Sequence, residues 1–241
     1  MKHLPTQRGF TLVELMIAVT IGLFLVGGLL TLVQAMKRAN LSQSGLSQLQ
    51  ENERMAMTLM TDVIQSTGYF TLPLVNTATS SFPVTGAFTA AGQALVGVGT
   101  YGSAAPGHSI TVRYMTSGTD NVINCTGNTS SSAASFINTF SIDANGNLQC
   151  QLIVNGGAPT TVPLISGLKN MQIYYGVQTN TSVSNNSVDA YLDATAVAAG
   201  PFWSSVKSVK VTLTFVNPLN TPATVSFTRI ITVMSNTGVS T

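Results

Sequence analysis

The sequence predicts an α+β protein in which a long N-terminal α-helix, half membrane span and half amphipathic, packs on an antiparallel β-rich globular domain. Three observations predict it. Leu15 to Met36 form a 22-residue stretch without a charge. From there to Gly68 apolar residues recur at helical spacing, and beyond Ser109 apolar and polar residues alternate between turn signals.

The apolar stretch reaches roughly 33 Å as a helix, enough for a ~30 Å hydrocarbon core. A secretory signal would have a shorter apolar region and a small-x-small cleavage site on its far side. Here the far side reads QAMKRANLSQS and continues as helix. Glu14 lies at its start. An ionised carboxylate in hydrocarbon costs ~2.5–3.5 kcal/mol even on mild insertion scales, so such a residue usually has a partner and a task. The alternative is that Glu14 sits close enough to the headgroups to be solvated. A cut between Gly9 and Phe10 would create an ammonium at Phe10, one helical turn before Glu14.

Past Lys37 and Arg38, the residues Leu46, Leu49, Ala56, Met60, Val63 and Ile64 recur near one face, so one helix is expected from about Thr11 to Ser66. Gly68 is placed as its C-terminal cap. Met55, Met57 and Met60 read as core filler rather than ligands. Residues 69–107 are rich in Thr, Ala and Gly and read as loops with short strands. GVGTYG at 97–102 fits a dinucleotide fingerprint in letters only, because Pro106 and Gly107 break the helix that should follow.

Strand signals follow. SITVRYMT (109–116) alternates, and 136–154 reads as a hairpin turning at Asn145 and Gly146. Asp143 begins a DxNGN pattern in which a tight turn accounts for the spacing without calcium. MQIYYGVQT (171–179), SVKVTLTFV (208–216) and ATVSFTRIITVMS (223–235) complete the set, the last two as a hairpin across NPLNTP. Together the pairings predict an antiparallel sheet.

Charged residues make up only 7% of the chain. Lys2, Arg8, Lys37, Arg38 and Glu14 sum to +3, so the remainder carries −1 of the formal +2. Its cations, Arg54, Arg113, Lys169, Lys207, Lys210 and Arg229, are dispersed and offer no footprint for nucleic acid. Cys125 and Cys150 are the two cysteines, without a CxxC pair and with only His3 and His108 as histidines, so no metal site is expected. One disulfide is the preferred reading, closing a loop of about 26 residues and worth roughly 3–4 kcal/mol; two buried free thiols are the alternative. A disulfide points outside the cytoplasm.

Arg8-Gly9 followed by Phe10-Thr11-Leu12-Val13-Glu14 resembles the type IV prepilin signature. The resemblance implies that a prepilin peptidase cuts after Gly9, that Phe10 becomes the N-methylated first residue, and that Glu14 registers the subunit by pairing with a neighbour's N-terminal amine. Major pilins usually carry a proline in mid-helix; here that position is near Thr31, with Gly27 and Gly28 as the loosening elements instead. ITVRYMTSGTDNVINCTG, NTFSIDANGNLQCQ, PLISGLKNMQIYYGVQT and VDAYLDATAV together resemble the PilW family of minor type IV pilins. A pilin-like fold is implied, with the Cys125–Cys150 bridge near the hairpin. The family implies other minor pilins, the major pilin and a large tip adhesin as partners, and a role in initiating pilus assembly at or near the tip.

The organisation expected is a cytoplasmic leader at 1–9, a transmembrane half-helix at 10–36, an amphipathic half at 37–68 and a periplasmic β-rich domain at 69–241, anchored in the inner membrane. No enzyme and no cofactor are expected: GxSxG and HExxH are absent, and His108 reads as a surface histidine in a Pro-Gly-His-Ser turn. Asp189 and Asp193 read as solvated carboxylates on a helical turn. Two other functions share parts of this pattern, a pseudopilin of type II secretion and an uncleaved membrane-anchored periplasmic binding or adhesin module.

Overall fold

The structure, a computed structural model, describes residues 9–102, 107–180, 187–219 and 222–233. The expected leader, apart from Gly9, and the end of the last strand reading (234–235) lie outside the described residues, as do parts of the NPLNTP turn. The chain divides into two units, Met1–Ser47 and Gln48–Thr241.

One helix, α1, spans Leu12–Gln65. In the first unit it is long and apolar enough to cross a membrane, and its apolar window has no buried residue. Gly27 and Gly28 remain helical, so the helix is not interrupted there. The hydroxyl of Thr31 donates to the carbonyl of Gly28 (2.7 Å), and that of Thr20 to the carbonyl of Ile17 (2.8 Å). Each hydroxyl is thereby satisfied within its own helix.

In the second unit the helix buries Leu49, Ala56, Met57, Met60, Val63 and Ile64. Met57 and Met60 are core residues, whereas Met55 is half exposed and fills nothing. Gly68 has a left-handed φ of 75°, yet its N–H donates to the carbonyl of Arg113 (2.9 Å) rather than back to the helix. It turns the chain onto a strand edge instead of closing a C-terminal cap of its own.

The β-rich part contains two antiparallel sheets where the sequence patterns suggested one. The first has the order β1 (Leu95–Val98), β2 (Ser109–Thr116), β3 (Ala134–Ile142), β4 (Leu148–Val154) and β5 (Thr160–Ile165). The second has the order β7 (Ala190–Leu192), β6 (Leu168–Val177), β8 (Val206–Val216) and β9 (Thr224–Thr232). The chain changes sheet at Ser166-Gly167, where Gly167 has φ 88°. Leu168 then donates to Gly146 in the β3–β4 turn (2.9 Å), holding the second sheet against the first.

Even-numbered residues of β3 and β4, such as Phe136, Phe140, Leu148 and Cys150, share one buried cluster with Ile173, Tyr175, Val211 and Leu213 of the second sheet and with the helix residues. That alternation is the period-2 signal of the sequence made physical. Two short helices, α2 (Ala78–Ser81) and α3 (Ala194–Ala199), lie in connections. GVGTYG begins on β1, whose neighbour β2 is antiparallel, so no βαβ unit surrounds it.

Candidate functional site

The residues predicted to be processed open the described chain. Gly9 and Phe10 precede the helix, and Phe10 is 88% exposed. Thr11 occupies the N-cap position. Its carbonyl accepts the first helical bond from Leu15 (3.3 Å), and its hydroxyl accepts from the N–H of Glu14 (3.3 Å). In return the Glu14 carboxylate accepts from the N–H of Thr11 (3.0 Å) and from its hydroxyl (3.1 Å). This reciprocal arrangement is a capping box, legible in the sequence as Thr-x-x-Glu. Glu14 therefore has a task within its own chain that the charge argument alone overlooked. The carboxylate still stands exposed, with acceptor capacity left for a charged donor.

In the second unit Cys125 and Cys150 form a disulfide, with Cα atoms 5.9 Å apart and both residues fully buried. The free-thiol alternative is thus discarded. The bridge ties the 117–133 connection to β4. The same connection is held twice more: the Cys125 N–H donates to the side-chain oxygen of Asn138 (2.8 Å), and the Tyr114 hydroxyl donates to the Ile123 carbonyl (2.6 Å).

His108 is not a surface residue. It is 2% exposed; its Nδ1 accepts from the N–H of Ile173 (3.3 Å), and its Nε2 lies 3.2 Å from the carbonyl of Thr100. With Nδ1 as acceptor and Nε2 near the carbonyl, the ring links the β1–β2 connection to β6. The Pro-Gly-His-Ser text gave no warning, because only tertiary packing covers the ring.

The carboxylates of Asp189 and Asp193 are not simply solvated, and they do not share a helical turn. Asp189 precedes β7 and accepts from the N–H groups of Thr179 (2.9 Å) and Asn180 (2.9 Å). Asp193 caps α3, accepting from Ala196 (2.8 Å), and also accepts from the N–H of Tyr101 (2.8 Å). Backbone donors hold both carboxyls below the usual range. Asp143 accepts from the N–H groups of Asn145 and Asn147 (both 2.8 Å), which builds the tight turn. Among the described residues no group of three His, Cys, Asp or Glu side chains could hold a metal ion.

Residues 130–237 match the family model described as Type IV Pilus-assembly protein W, and residues 4–30 match the prokaryotic N-terminal methylation motif. Over these two stretches the chain is similar to PilW-family prepilins. The methylation match spans Gly9, Phe10 and Glu14, and the PilW match covers β3, β4, β5 and the whole second sheet. The resembling stretch at 110–127 lies outside it. No curated protein matches the chain. The PilW match points to a structural pilin rather than an enzyme, and the motif together with the apolar helix fits an inner-membrane-anchored pilin.

Proposed function

We propose that this chain is a PilW-family minor pilin that helps to initiate type IV pilus assembly and stays at or near the pilus tip through contacts with other minor pilins. The observation that carries the reading is the placing of Glu14 in the N-methylation motif, exposed at the first turn of an apolar helix, on a chain that also matches the PilW model. In this reading a prepilin peptidase removes the leader 1–9 after Gly9 and Phe10 is methylated. Residues 10–36 span the inner membrane, 37–68 form the amphipathic half, and 69–241 form the periplasmic domain. The buried disulfide supports an oxidising compartment for that domain. Prepilin peptidase, the other minor pilins, the major pilin and a large tip adhesin are the partners.

After cleavage the ammonium of a neighbouring subunit can meet the Glu14 carboxylate, removing two charges from an apolar surrounding and fixing the axial position of one helix against the next. Because Glu14 also caps its own helix, the test must separate the two roles. Glu14→Gln keeps a capping box but loses the charge. Membrane insertion is expected to persist in Glu14→Gln while pilus assembly falls to the level of Glu14→Val. Normal piliation in Glu14→Gln cells would remove the pairing role. A deletion strain that keeps its pili but fails in type II secretion would favour the pseudopilin reading instead.

A further inference from the structure

The second sheet ends on β9, a nine-residue strand whose pairing with β8 runs from Thr224 to Thr232 without a register shift. Just outside the strand Asn217 donates to Ala223 and Val233 donates to Lys207 (both 2.9 Å). These pairs fix the phase of the ladder. Odd-numbered residues of β9 exchange bonds with β8, and the main-chain groups of Thr224, Ser226, Thr228, Ile230 and Thr232 point to the free edge. Among the described residues nothing pairs with that edge.

The other edges are protected. β1 has four residues and β7 three, and β5 carries Pro163 at a register shift, with Leu148 facing Ile165 and Gln149 facing Pro163. β9 has no proline, glycine or bulge. A nine-residue edge without proline or bulge can act as a template for another strand.

We infer that β9 is an assembly edge that accepts an extended strand from a different pilin-type subunit, one carrying a carboxylate opposite Arg229 and an aliphatic residue next to it in sequence. The inference rests on the filament reading above. Arg229 is the only charged residue of β9; it is exposed and reaches only the hydroxyl of Thr61 at 3.5 Å, with no carboxylate partner among the described residues. It shares a face with Val225, Phe227 and Ile231. On the other face the hydroxyls of Thr228 and Ser226 are occupied by Thr212 and Thr214 (both 2.8 Å), leaving Ile230, 58% exposed, as the apolar point. Residues opposite Arg229 and Ile230 are consecutive in any added strand and fall on opposite faces. The required pair is therefore acidic then aliphatic, or the reverse.

A second copy of this chain fits less well. Antiparallel pairing of two β9 strands about Thr228 would set Arg229 opposite Phe227 but diagonally next to the other copy's Arg229, at roughly 7–8 Å, where like charges repel.

The test is a photo-reactive amino acid placed at Ile230 of the full-length protein in piliated cells, with the same group at Thr139, on the other sheet, as control. The Ile230 probe should give an adduct with another filament subunit, mapped to a strand peptide that contains an acidic residue beside an aliphatic one. The Thr139 probe should not. Arg229→Glu, at an exposed position, should lower the adduct yield by about tenfold, and reversal of the partner's acid to Arg should restore it. Equal labelling from both probes, an adduct formed only with a second copy, or a yield unchanged by Arg229→Glu would overturn the inference. Deletion of the gene separates the two readings. Pili lost on deletion but no Ile230 adduct refutes the β9 edge alone, whereas an adduct in cells whose pili survive deletion refutes the assembly role alone.

Discussion

The guanidinium carbon of Arg113 lies 4.1 Å from the ring centroid of Phe88 and 5.3 Å from that of Phe82, with all three residues buried. Its nitrogens donate to the carbonyls of Gln93 (2.7 Å), Pro83 (2.7 Å) and Phe82 (3.1 Å). One side chain on the outer face of β2 thus folds residues 82–93 onto the sheet. Burial lowers its pKa to about 10, which leaves it charged at neutral pH.

Arg113→Lys keeps the charge but not the fork that reaches three carbonyls. It is expected to cost on the order of 3 kcal/mol, given that a hydrogen bond from a charged group contributes ~1.5–3 kcal/mol. Urea unfolding of the oxidised protein measures the loss. Limited proteolysis should find new cuts confined to residues 82–93.

A second prediction concerns Tyr175, whose hydroxyl is fully buried without a partner among the described residues. Tyr175→Phe should stabilise by ~1 kcal/mol, since an unpaired buried hydroxyl is penalised by ~1–3 kcal/mol. A Cβ at Gly97 would stand 1.8 Å from that hydroxyl and 2.6 Å from the ring carbon bearing it. Gly97→Ala should therefore destabilise by roughly 1–3 kcal/mol, and Tyr175→Phe should recover part of the loss. Thermal unfolding of the two single variants and the double variant gives the coupling.

Acid stability carries a third prediction. Burial pushes the Asp120 carboxyl up, but the Thr116 hydroxyl and the N–H groups of Ser117 and Val122 outweigh it and hold the pKa down to about 2. An unfolded aspartate titrates near ~3.9. The unfolded chain then binds more protons in this range, so the contribution is fully present above about pH 4 and is lost as pH falls through about 2. Asp120→Asn should flatten the acid limb of stability without abolishing it, because Asp143, Asp189 and Asp193 are also held low. Denaturant midpoints between about pH 5 and pH 2 test this.

The parts of the fold read most easily from the sequence were those with a strong period of their own. Ser109 to Thr116 alternates and is β2; Asn145-Gly146 turns the β3–β4 hairpin, with Gly146 at φ 77°. The long helix was legible because one apolar run and one amphipathic face join without a break. β5 was hidden by Pro163, tolerated only because the strand lies at an edge, and β7, with three residues, is too short for a pattern. His108 was misread, and the burial of Arg113 went unread, for another reason. Both owe their burial to segments distant in sequence, Phe82 to Gln93 for one and Thr100 with Ile173 for the other, and no local pattern encodes such a cover. At the N-terminus the motif located Glu14, while its capping role, written in the sequence as Thr-x-x-Glu, was passed over because the buried-charge argument was followed instead.

The central claim is that leader removal creates the amine that Glu14 meets on a neighbouring subunit. Tandem mass spectrometry of the N-terminal peptide, taken from the chain recovered in sheared pili, tests it most directly. A peptide beginning at Phe10 with a methyl group on its amine is the result predicted. A chain that still carries Met1 to Gly9 in that fraction would contradict it.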